Sequence, residues 1–173
     1  MFFSVYATAL SKNTKVYAYE PMPKSFEFLL ENIKINNLEN SIIPFKLGIA
    51  SRKSKRKLFL ASGSPFHSMY SDKNGKSIEI DCITLKDVFT RIKIKYCDVL
   101  KIDCEGAEFE ILYGTPKEYF SKIKEIRLEW HNQKKESYDI KSLTKFLEDN
   151  GFKVTFFRKD SDYSGNAWFI RKT

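Results

Sequence analysis

The chain is poor in the residues that staple, bend or ligate. Its 173 residues include three cysteines, seven glycines, five prolines and two histidines. Cys82, Cys97 and Cys104 are an odd set at irregular spacing, with no C-x-x-C and no His/Cys group. That argues against a zinc site and leaves a reduced, cytoplasmic setting as the default. No apolar run approaches the ~20 residues of a membrane-spanning helix. The opening segment, Met1 to Ser11, lacks the basic n-region of a secretion signal and mixes Tyr, Ser and Thr into its apolar stretch. There is no internal repeat, low-complexity tract or linker to divide the chain, so residues 1–173 are expected to form a single domain.

What is present is the composition of a packed protein. Hydrophobic residues make up 42% and charged residues 30%, and fifteen Phe, nine Tyr and two Trp predict an aromatic-rich interior. The net charge is +8, from 30 basic and 22 acidic residues. Only Arg52-Lys53-Ser54-Lys55-Arg56-Lys57 concentrates it, and that block reads as a solvated hairpin or loop. Dispersed charge and the lack of an Asn/Asp-Pro-Pro-aromatic stretch argue against a nucleic-acid partner.

Periodicity orders the chain. Residues 2–11 carry Phe3, Tyr6, Ala7 and Leu10 at helical spacing, and residues 24–37 place Phe26, Leu29, Leu30 and Ile33 on one face. Residues 15–19 and 42–49 read as strands, as do 57–60 and 77–83 around a polar loop at 61–76. Thr84 caps a helix with Leu85, Val88, Phe89 and Ile92. Strand 98–102 leads into a helix near Ala107, Pro116 opens another helical segment, and strand 125–131 and helix 139–149 follow. Asn150-Gly151 stops that helix. Residues 152–158 and 166–171 form an antiparallel pair at the sheet edge. The alternation predicts an α/β, doubly wound, mostly parallel sheet. Right-handed crossovers then bring the ends of 15–20, 98–103 and 125–131 to one rim, where ligands of such sheets bind.

The rim is rich in acids. Glu20 closes Val16-Tyr17-Ala18-Tyr19, where a carboxylate can accept from both hydroxyls of a nucleoside ribose. The plain alternative is a surface acid at a helix N-terminus. Asp103, Glu105 and Glu108 crowd a turn that Gly106 tightens. They could hold a divalent cation, take a proton or hydrogen-bond a substrate, or simply form a solvated acidic turn. Glu129 and His131 lie two apart on a strand and so share a face, with Trp130 opposite. A histidine at a strand end beside an acid suits a general base. His67 lies on the polar loop, from which it could cover the site.

These segments resemble the FkbM-type family of S-adenosylmethionine-dependent methyltransferases. The resemblance rests on Val16-Tyr-Ala-Tyr-Glu-Pro21, Ile83-Thr-Leu-Lys-Asp87, Leu100-Lys-Ile-Asp-Cys-Glu-Gly-Ala-Glu108 and Ile126-Arg-Leu-Glu-Trp-His131, in order across nearly the whole chain. It implies a Rossmann-like class I methyltransferase sheet and transfer of a methyl group to a hydroxyl of a sugar, glycan or small metabolite. S-adenosyl-L-methionine would be bound by Glu20, Pro21, Leu47 and Asp103. His131, Asp103 and Glu105 would be catalytic, with His131 the first candidate for the base. Glu129 and His67 would meet the acceptor.

The sequence departs from the family at its start. Members carry a first strand and a glycine-rich turn just before the helix that begins here at Phe2, and no GxG-type segment occurs in this chain. It therefore reads as an N-terminally truncated domain. The strands ending at Glu20 and Asp103 would each expose an edge unless they closed on one another or accepted another chain, and cofactor binding would be weakened. A catalytically inactive binding or scaffold domain is the alternative this departure raises.

Overall fold

A computed structural model of the protein describes residues 2–10, 13–59 and 77–172, apart from the side chains of Phe2 and Leu10. His67 and the loop at 61–76 lie outside the described residues. The strands fall into three groups, and the break between two of them lies beside the expected site.

The first group joins β1 (Val16–Tyr19) in parallel to β2 (Ile42–Phe45) through α2 (Pro23–Ile35). Pro23 starts α2 in the first turn, where its missing N–H costs nothing. Leu29 and Ile33 of α2 bury against Ile42, with Val5 of α1 (Phe2–Leu10) and Val16 closing this small core. Pro44 sits within β2, as an edge strand allows.

The expected strand at 42–49 divides at Lys46-Leu47. Its second half, β3 (Gly48–Ile49), leaves β2 and pairs with β5 (Ser77–Ile83), which also pairs antiparallel with β4 (Ser54–Phe59). The basic block at 52–57 is therefore largely strand. Lys55 meets Glu79 on the surface, but Arg56 turns inward to pair with Glu110.

The third group has the order β6–β7–β9–β8, from β6 (Cys97–Ile102), β7 (Ile123–His131), β8 (Phe152–Lys159) and β9 (Ser164–Arg171). β6 and β7 run parallel, β9 runs antiparallel to both β7 and β8, and the sheets are mixed overall. Helix α3 (Leu85–Ile92) has a complete capping box between Thr84 and Asp87. Asp139 caps α6 (Ile140–Asp149) by accepting from the Ser142 N–H at 2.9 Å.

One face of β7 (Ile126, Leu128, Trp130) joins the main core with Phe109 and Leu112 of α4 (Glu108–Tyr113), Phe120 of α5 (Lys117–Phe120), and Leu143 and Leu147 of α6. Tyr19 and Leu47 pack against this same core, which ties the β1–β2 pair to the four-stranded sheet through side chains.

Among the described residues, β1 is hydrogen-bonded only to β2, and β6 only to β7. The two strands that end at Glu20 and Asp103 do not close on each other. Val99, in the middle of β6, stays 38% exposed, unlike a residue buried on both faces of a parallel sheet.

Candidate active site

Parallel pairing of β6 with β7 sets Ile102 against Leu128. The next residue, Asp103, therefore reaches the sheet end alongside Glu129, with His131 two residues further on. Lys101 Nζ lies 3.4 Å from Asp103 and 3.9 Å from Glu129. Farther down the same face, Arg127 donates to Glu125 at 2.7 Å and stacks over Trp168 at 4.7 Å.

The turn after β6 is built around Glu108. Its carboxylate is fully buried. Oε1 accepts the Cys104 N–H at 2.8 Å and the Gly106 N–H at 3.1 Å, and Oε2 takes Gly106 N–H at 3.0 Å. Gln133, two residues past the end of β7, donates to the Gly106 carbonyl. These clamps hold Glu105 at φ 50° and Gly106 at φ 105°. For a non-glycine residue the left-handed region costs about 1–2 kcal/mol, a cost of the kind that gathers at functional sites. Replacing Glu105 by glycine is expected to raise stability to urea by about 1 kcal/mol and to lower methyl transfer. An unchanged or earlier urea midpoint would show that relief of the left-handed backbone is matched or outweighed by loss of the Glu105 contact to His131 and by the entropy of the added glycine.

His131 sits in the bend of the turn. Nδ1 is 3.3 Å from Glu108 Oε1, while Nε2 faces Glu105 Oε2 at 3.5 Å and Glu129 Oε1 at 4.0 Å. The hydrogen bond to Glu108 raises the His131 pKa above its ordinary value; burial opposes it, and the charges of Glu108, Glu105 and Glu129 add to it. Burial is also the main cause of the raised Glu105 and Glu129 carboxyls, with Asp103 adding to both. Cys104 packs against the core, and burial pushes its thiol up to about 12. It is an inert wall of the turn rather than a nucleophile.

The expected residues thus form two groups. Asp103, Glu105, Glu129 and His131 come together, joined by Lys101 and Glu108. Glu20 and Pro21 lie at the tip of β1, where Glu20 Oε1 accepts the Met22 N–H at 2.8 Å. A Cβ built on Gly48 would lie 3.7 Å from Pro21 Cβ, so Pro21 faces the start of β3. Leu47 lies between β2 and β3 and is partly committed to the core. Among the described residues, no set of three or more His, Cys, Asp or Glu is arranged to hold a metal ion. No helix among them is long and apolar enough to cross a membrane.

Acids and a histidine thus gather at the carboxyl ends of parallel strands in a Rossmann-like α/β fold, and the class this chain falls in, methyltransferase, is given by its family. Residues 2–154 match the family described as the methyltransferase FkbM domain, and the chain belongs to that family.

It is 24% identical over 184 residues to the methyltransferase sdnD of Sordaria araneosa, covering 88% of this chain and 70% of that protein. The hexuronic acid methyltransferase AglP of Haloferax volcanii is 25% identical over 160 residues, covering 91% of this chain and 64% of that protein. The crystal structure of a methyltransferase FkbM from Methylobacillus flagellatus matches with a TM-score of 0.62 at 15% identity. That match covers 96% of this chain and 40% of the other.

Proposed function

We propose that this methyltransferase draws its methyl group from S-adenosyl-L-methionine and delivers it to a hydroxyl of a sugar, glycan or small metabolite. The observation that carries the reading is His131, held by Glu108 at the open end of the sheet with Glu105 and Glu129 beside it. The donor set suits a cationic nucleoside. Glu20 offers an acceptor-only group, steadied by the Met22 N–H, toward a ribose diol. Asp103, Glu105 and Glu129 outnumber Lys101 at the site, which favours a positive charge there.

When bound, S-adenosyl-L-methionine supplies an electrophilic methyl group. Glu20 and Pro21 would hold its nucleoside at the tip of β1, with Leu47 beside them. Asp103 and Glu129 orient the acceptor hydroxyl, and His131 takes its proton. The hexuronic acid acceptor named for the Haloferax relative makes acidic sugars the first class to test. In that test, methyl-labelled S-adenosyl-L-methionine and the full-length protein are incubated with uronic acids, glycans and hydroxylated metabolites, and the products are read by mass spectrometry. A product carrying a new O-methyl group supports the reading. Transfer to nitrogen alone, or a catalytically inactive protein, overturns it.

A further inference from the structure

Among the described residues, Glu108 is the only charged side chain that is fully buried, and a solvated acidic turn has no use for it there. We propose that Glu108 is a positioning residue for His131: its carboxylate holds Nδ1 and thereby aims the Nε2 lone pair at the acceptor hydroxyl. The proposal rests on the reading of His131 as the base.

A carboxylate can only accept, so Nδ1 carries the hydrogen in the 3.3 Å contact. Neutral imidazole then has its lone pair on Nε2, the nitrogen that faces Glu105 and Glu129. The acceptor hydroxyl gives its proton to Nε2, and the imidazolium that forms keeps Nδ1–H on Glu108. Glu108 is itself fixed by the Cys104 and Gly106 N–H groups, and Gln133 pins the carbonyl of Gly106. The ring therefore has a rigid anchor that does not depend on bound substrate.

The charges facing the imidazole are Glu108 from α4, Glu105 from the turn and Glu129 from β7. Asp103 and Lys101 of the β6 end act through Glu129. A base must be unprotonated, so a raised His131 pKa moves the acidic limb of the rate to higher pH. The same shift stabilises the fold below the ordinary histidine value, and that stabilisation is lost as pH rises through the raised one.

The test is Glu108→Gln, which keeps an oxygen for the backbone donors and removes the charge. The His131 ring is followed by NMR against pH; His67 is the chain's other histidine. The titration midpoint is expected to fall by about one pH unit. The acidic limb of kcat/KM should move down with it, with a lower plateau and an unchanged KM for S-adenosyl-L-methionine. An unmoved midpoint overturns the proposal whatever the activity does. A moved midpoint together with full activity in His131→Ala leaves the pair standing and removes His131 as the base. Should Glu108→Gln fail to fold, the ring nitrogens of the wild-type protein decide the matter: protonated Nδ1 with bare Nε2 supports the pairing, and the opposite tautomer overturns it.

Discussion

Replacing His131 by alanine is expected to slow methyl transfer about a hundredfold or more, the usual effect of losing a positioned general base, while cofactor affinity stays the same. The structure separates the two effects. His131 closes β7 on the open face, whereas Glu20 and Pro21 lie just past the end of β1, a strand of another sheet. The substitution also leaves the turn intact, because Glu108 keeps its bonds to Cys104 and Gly106 N–H. Single-turnover kinetics with the donor saturating, beside a calorimetric titration of the donor, measures both quantities. Normal turnover would pass the proton to Asp103, the acid just past the end of β6.

Glu20→Ala should do the reverse. Its carboxylate is the acceptor at the tip of β1, and loss of a charged hydrogen-bond acceptor is expected to raise the dissociation constant for S-adenosyl-L-methionine tenfold or more, about 1.4 kcal/mol or above. The variant also loses the bond from the Met22 N–H, so circular dichroism must show that α2 still forms. Unchanged affinity in the folded variant would remove Glu20 from cofactor binding. With the donor saturating, turnover should recover, a recovery that His131→Ala will not show.

Much of this was legible in the chain because local chemistry decided it. Thr84 marks a helix start wherever it falls, and the alternation from Ile126 to His131 announces a strand with one dry face. Glu129 and His131 were paired by that alternation alone. What stayed hidden depended on distant neighbours. Glu108 read as one of three similar acids; only the left-handed path through Glu105 and Gly106 turns it into the interior under His131. Arg56 read as part of a solvated block because its partner, Glu110, is 54 residues away. The segment from Ile42 to Ile49 reads as one strand, yet it divides because its halves find different partners, Val16 to Tyr19 for one and Cys82 and Ile83 for the other.

β7 works as a partition. Ile126, Leu128 and Trp130 are at most 1% exposed on one side, while Glu125, Arg127 and Glu129 are partly open on the other. Point changes at the second set leave the hydrophobic interior untouched. A lineage carrying this strand can therefore retool what it modifies at little thermal cost, varying the wet side of one wall while the dry side keeps the building up.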